Sequence, residues 1–293
     1  MAEGSGLATF ESVRPRLFGI AYRMMGTVSE AEDLVQEAWL RWQGTDRDAV
    51  REPAAFLATT VTRLALTELD SARARRERYV GPWLPEPVDT SADPALGAEN
   101  TEALSFAVLV LLEKLTPAER AVYVLHEAFD YPYRQIAEVL EISEPNARQL
   151  ASRARAHLAG ARTASVSDAD RQRLLEAFIA EAQNGDLETL ESVLADDVVA
   201  LSDGGGIVLA ARKPVSGRAR VAQFLLGVLE KFAADVENVP AAYNGGVAFV
   251  GLRDGEPIAV WAVDIGSDGI RGFYNVMNPQ KLSRIGAASG QSR

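Results

Sequence analysis

Four prolines fall within a short stretch, Pro82, Pro85, Pro87 and Pro94. Each lacks an amide N–H and fixes φ near about −65°, so neither a continuous helix nor an inner strand can pass through them. The chain is therefore cut there, and what lies on either side must fold around separate apolar patterns. Before the cut, Leu17, Ile20, Ala21 and Met24 recur at helical spacing, and Ala31, Leu34, Val35, Ala38, Trp39 and Trp42 form a second stripe. Ser29 is the expected N-cap of that second helix, with Glu30, Glu32 and Asp33 at the positive end of its dipole. A third helix starts after Pro53, buries Phe56, Leu57, Val61, Leu64 and Leu69, and runs out into a cluster of arginines.

After the prolines, residues 102–162 again read as short helices. Beyond residues 165–168 the pattern changes. One or two helices over about 170–195 give way to β-like runs at 198–201, 207–210, 248–252, 258–265 and 271–276. Glycines and Asp-Gly pairs separate them, as hairpin turns require. The expected architecture is multidomain: two all-α domains, 1–80 and 102–165, joined by a stiff Pro-rich linker, 81–101, and followed by an α+β domain, 166–293.

Composition removes several kinds of chemistry. With no cysteine and only two histidines, His126 and His157, disulfides, thiolate metal sites, Cys nucleophiles and multi-His metal centres are excluded. Gly204–Gly206 are not followed by Lys-Ser/Thr, so no phosphate-cradling loop and no nucleotide cofactor are implied. The longest apolar run, Phe106–Leu112, ends at Glu113 and Lys114, far short of the roughly 18–20 residues of a membrane span. The first residues lack the basic start and apolar stretch of a signal peptide, so a cytoplasmic protein without membrane contact is expected. No metal and no cofactor are expected.

The net charge of −11 argues against nucleic acid as a partner, but a global sum hides local fields. Four arginines lie between Arg73 and Arg78 with a single acid, Glu77. From residue 145 to 162 there are Arg148, Arg153, Arg155 and Arg162 and no acid. The second cluster coincides with a helix-turn-helix pattern. Ile136, Ala137 and Leu140 share one face of a first helix, and Ile142 plugs the turn. Ser143 can cap the next helix and Pro145 suits its first turn. Ala147, Leu150 and Ala151 then face inward. Asn146, Arg148, Gln149, Ser152, Arg153 and Arg155 face outward, which puts base-edge readers near the helix start and phosphate-binding arginines further along. Glu141 stands in the turn where a positive φ would favour glycine.

With these residues in view, the chain resembles a bacterial extracytoplasmic-function (ECF) RNA polymerase sigma factor carrying a fused C-terminal SnoaL-like domain. The resemblance implies a first domain (region 2) that binds core polymerase and reads the minus-ten element, with Asp33, Gln36 and Glu37 as polymerase contacts. It implies Arg63, Arg73, Arg75, Arg76 and Arg78 on the non-template strand, while Thr67 and Asp70 depart from the family's usual Asp and Arg. The helix-turn-helix (region 4) would read the minus-thirty-five element through Asn146, Arg148, Gln149, Ser152, Arg153 and Arg155. Three ordered motifs mark the subgroup: Trp83, Leu84, Pro85, Glu86 and Pro87 in the linker; Asp203, Gly204, Gly205 and Gly206; and Asn278, Pro279, Gln280, Lys281 and Leu282. The implied partners are the β′ and β subunits of core RNA polymerase and promoter DNA, with a small-molecule ligand admitted for the C-terminal domain. The implied activity is promoter-specific transcription initiation modulated by the fused domain, without catalysis.

Two other readings are carried. One is a ligand-responsive helix-turn-helix regulator that binds DNA alone. The other is a SnoaL-type cyclase or isomerase with DNA-binding appendages, using Asp197, Asp203 or Asp264 as acid/base beside Tyr243, Trp261 or Tyr274 in a pocket. In the favoured reading, two cationic helical surfaces are held apart by the proline tether.

Overall fold

The computed structural model describes residues 2–90, 104–159, 173–178, 186–232 and 235–285. Arg162 of the second basic cluster and the part of the linker beyond residue 90 lie outside the described residues. The chain divides into two compact units. One comprises residues 1–78 and 92–159, the other 79–91 and 160–293.

In the helical unit, α1 (Ala2–Met25), α2 (Val28–Gln43) and α3 (Pro53–Glu77) pack around Leu17, Ile20, Met24, Trp42, Leu57 and Val61, all buried. Gly26 turns the chain between α1 and α2 at φ +77°. The N-cap of α2 is Thr27, not Ser29: its hydroxyl accepts from the Glu30 amide, and Ser29 lies within the helix. The turn at Gly26 brings the helix start two residues earlier than the acidic pattern suggested.

Among the described residues this unit also contains α4 (Phe106–Leu112), α5 (Pro117–Tyr123) with its π-helical continuation Val124–Ala128, α6 (Tyr133–Leu140) and α7 (Glu144–Leu158). Thr116 and Glu119 form a reciprocal capping box at the start of α5. These helices pack directly on the first three. Arg120, 3 % exposed, donates to the Met24 carbonyl at the end of α1 and twice to the Leu112 carbonyl, and pairs with Glu113 at 2.8 Å. Burial lowers the pKa of its guanidinium, which the Glu113 carboxylate opposes. Phe129 lies against both Arg16 and Arg23 of α1. In the structure the two sets of helices lie within one compact unit.

The second unit is α+β. A six-stranded sheet has the order β2-β1-β6-β5-β4-β3, with β1 (Leu194–Asp203), β2 (Val215–Ser216), β3 (Glu237–Tyr243), β4 (Gly246–Arg253), β5 (Glu256–Gly266) and β6 (Gly269–Val276). Only β1 and β6 pair in parallel. The helices α8 (Leu187–Ser192) and α9 (Arg218–Phe232) pack on it through Leu190, Val221, Ala222 and Leu225. A four-residue helix, α10 (Pro279–Leu282), follows β6 and is capped by Asn278.

Two readings of the strand pattern need correction. Residues 207–210 are not a strand. Ile207 and Leu209 are 61 % and 82 % exposed, on a loop that Gly204–Gly206 turn away from the sheet. Conversely β3 carries Pro240 and alternates weakly, which hid it from a period-2 reading; as the edge strand it tolerates a proline.

The Pro-rich segment is not a free tether. Leu84, Pro85, Glu86, Pro87 and Val88 are all buried in the second unit, and Asp89 bridges to Tyr243 on the sheet's last strand.

Candidate functional site

Three surfaces carry the chemistry singled out from the sequence. On α2 the apolar stripe of Ala31, Leu34, Val35, Ala38 and Trp42 is buried, which turns Asp33 and Gln36 to solvent. Glu37, half-buried, accepts from Arg41 at 2.9 Å, and Leu40 is 53 % exposed beside it. The Trp42 indole donates to the Gly6 carbonyl at 3.0 Å, tying α2 to the start of α1.

The arginines of α3 are not equivalent. Arg73 and Arg78 are exposed. Arg63 instead reaches the end of α6, donating to the Val139 carbonyl at 2.9 Å and the Glu138 carbonyl at 3.1 Å, and pairing with Glu141 at 3.0 Å. Arg75 donates to Glu30 and to Ser71 Oγ. Arg76 is bound by Glu113 and by the Met25 carbonyl. Glu113 thus bridges Arg76 and Arg120, a half-buried link between the arginine cluster and the second set of helices.

The helix-turn-helix has its expected geometry. Ser143 caps α7 by accepting from the Asn146 amide, and Ile136, Ala137, Ala147 and Ala151 are buried where α6 and α7 cross. Leu150, placed inward by the pattern, is only half-buried. Glu141 adopts φ +56° and ψ +41°, the left-handed conformation its position demands. Asn146, Arg148, Gln149, Ser152 and Arg153 are exposed. Arg155 is not free on that face; it donates to Glu127 at 2.7 Å and to the Tyr133 hydroxyl at 2.8 Å. Arg148 lies over the Tyr133 ring and pairs with Glu144.

The third surface joins all three short motifs. Asp203, at the end of β1 and fully buried, accepts through Oδ1 from the Tyr79 hydroxyl at 2.6 Å and the Gly205 amide at 3.1 Å. Its Oδ2 accepts from the Leu84 amide at 2.9 Å and from Lys281 Nζ at 2.7 Å. Lys281 also donates to the Leu84 carbonyl and sits over the Tyr79 and Trp83 rings. Asn278 Nδ2 donates to the Tyr79 oxygen at 2.7 Å. Burial, and then the hydrogen bond to Asp203, push the Tyr79 phenol well above the usual tyrosine range. A Cβ on Gly205 (φ +63°) would strike the Asn278 side chain at 2.5 Å, and one on Gly204 would strike the Val208 carbonyl at 2.3 Å. That close packing is why the motif needs glycine. At the far end Asn244 exchanges hydrogen bonds with Val88, and Thr90 bonds Ala242.

Sequence reasoning missed Tyr79, Asn244, Glu113 and Arg120. Tyr79 carried no local signal beside the proline-rich segment, whereas Asn244-Gly245 is a hairpin dipeptide that its pattern marks.

The acid/base candidates do not converge. The second unit holds a cavity of about 870 Å³, and Asp197, Asp203, Asp264, Tyr243, Trp261 and Tyr274 are all absent from its walls. Asp203 is consumed by the clasp, and Asp197 is exposed.

Residues 9–75 match the family model of sigma-70 region 2 and residues 105–158 that of sigma-70 region 4. The chain is 37 % identical over 292 residues to the ECF RNA polymerase sigma factor SigJ of Mycobacterium tuberculosis, covering 94 % of this chain and 93 % of that one. This chain belongs to the ECF sigma factors. It is also similar to the crystal structure of M. tuberculosis SigJ, with a TM-score of 0.75 at 35 % identity over 94 % of this chain and 98 % of the other. The probable ECF sigma factor SigI of the same organism is 37 % identical over 210 residues, 70 % of this chain and 72 % of its own. As an ECF sigma factor the chain directs transcription initiation by RNA polymerase. Among the described residues no helix is long and apolar enough to cross a membrane.

Proposed function

We propose that this sigma factor engages the β′ subunit through Asp33, Gln36 and Glu37, and promoter DNA through α3 and α7, while its C-terminal domain modulates activity by holding the segment 79–90. Region 4 would complete the contact through the β subunit. The observation that carries the regulatory part is the fourfold use of Asp203, which ties the chain just after the region 2 arginines to β1 and α10. A segment gripped in this way restricts the freedom with which region 2 and region 4 can separate on a promoter.

The DNA-binding part is supported by the exposed face of α7 and by Arg73 and Arg78. Arg63, Arg75 and Arg76 are held by internal carbonyls and carboxylates, and the whole chain is acidic. Affinity of the pure chain for promoter duplex is therefore weak, and polymerase supplies the rest. Tight duplex binding by the isolated protein at physiological salt would contradict this.

The polymerase contact is tested with Asp33→Arg and Gln36→Arg in the full chain. Both side chains are exposed, so folding is unchanged, while co-purification with core polymerase is lost. Retained co-purification would remove the assignment. The regulatory reading is tested by run-off transcription with the full chain and with a chain ended near residue 276. The yield changes and promoter choice does not; equal yields would count against it.

A further inference from the structure

The cavity in the C-terminal domain has the size of a small-molecule site, which commonly spans about 300–1,000 Å³. Val208, Phe224, Leu225, Val228, Phe273 and Met277 make its walls predominantly apolar. Phe273 continues a stack of rings through Trp261 to Phe249, which gives that wall a rigid aromatic backing. The polar residues in the lining are Ser202, Arg253, Glu256, Asn275 and Ser283, and among them Asn275 offers an unmet acceptor. Asn275, on β6, lines the cavity, and its side-chain oxygen is buried without a hydrogen-bond partner. An unmet buried acceptor is costly, and a donor supplied from within the cavity relieves it. At the rim, Arg253 is already paired with Asp235, and Glu256 is exposed, so no lone cation selects an anionic ligand. Leu209, 82 % exposed at the same rim, is apolar surface that an occupant would cover.

We propose that this cavity binds a neutral, largely apolar small molecule whose hydroxyl or amine N–H donates to Asn275. Its walls are also the back of the clasp. Val208 to Ala211 belong to the loop that begins at Gly204, and Pro279 and Leu282 share α10 with Lys281. Occupancy and the hold on segment 79–90 are thereby coupled, and by linkage each changes the other. This second part rests on the regulatory reading above; the binding site does not.

The test uses the full chain and N-phenyl-1-naphthylamine, a neutral, apolar fluorophore with one N–H donor. Its fluorescence titration shows one saturable site. Ala259→Trp, which fills the cavity from β5, abolishes binding, and Val228→Trp does the same from α9, with thermal unfolding confirming that each variant is folded. Asn275→Leu weakens binding about fivefold. Non-saturable binding, or binding unchanged in both tryptophan variants, overturns the site, and unchanged affinity in Asn275→Leu overturns the ligand class. Lys281→Met shifts the probe affinity at least twofold. No shift overturns the coupling while the site stands, and neither result bears on co-purification with polymerase.

Discussion

At Lys281 a single ammonium meets Asp203, the Leu84 carbonyl and two aromatic faces while 7 % exposed. Removing one partner of a buried pair leaves the other charge uncompensated, at a cost of about 3 kcal/mol. Lys281→Met should therefore weaken the clasp by about that amount. Hydrogen exchange at the Leu84 and Val88 amides reads it, with protection falling roughly a hundredfold. Glu141 is a residue of the opposite kind. It spends conformational energy of about 1–2 kcal/mol in the left-handed region, and its exposed pair with Arg63 returns little. Glu141→Gly should raise the stability of the helical unit by about 1 kcal/mol, seen as a higher melting temperature. The sequence exposed this position as unusual, because a turn of this spacing calls for a positive φ. It did not expose Arg63 as its ion-pair partner, which lies 78 positions away in the chain.

At the scale of elements, the proposed DNA contacts of α7 follow one another along one face. Asn146 and Gln149 are exposed near its start, and Arg153 follows one turn later. In holoenzyme, Asn146→Ala or Gln149→Ala should relax preference at particular minus-thirty-five base pairs, costing about 1–3 kcal/mol on the preferred sequence alone. Arg153→Ala should weaken all sequences alike and lower the salt slope of binding by about one. Competition assays across single-base promoter variants distinguish the two. This helix was legible because its cap, proline and small crossing residues are local. The arginines of α3 were legible only as a charge cluster. Their partners, Glu30, Glu113 and the Met25 and Val139 carbonyls, arrive from other elements.

At the scale of the whole molecule, Glu113 links the two sets of helices in the helical unit. It is the carboxylate between Arg76 and the buried Arg120, and its replacement by Gln leaves two guanidiniums facing each other. Glu113→Gln should destabilise the helical unit by about 3 kcal/mol, measured by denaturant unfolding, and free Arg76 for phosphate. A variant as stable as the parent would show that the helices of regions 2 and 4 are held by apolar packing alone.

What the amino-acid order determined by itself was the class of each segment: helices before residue 160, a glycine-punctuated α+β domain after it, a capped helix-turn-helix, and a proline-rich break between them. Such features are written within one or two turns of chain, where periodicity, capping and φ restrictions act. Only the tertiary structure decided that Pro85 and Pro87 are docked, that the two sets of helices lie within one compact unit, and that the carboxylate before three glycines is a clasp. Those outcomes depend on pairs far apart in sequence, such as Tyr79 with Asp203 or Arg76 with Glu113. Spacing along a chain carries no signal for which distant charge will answer another once both leave water.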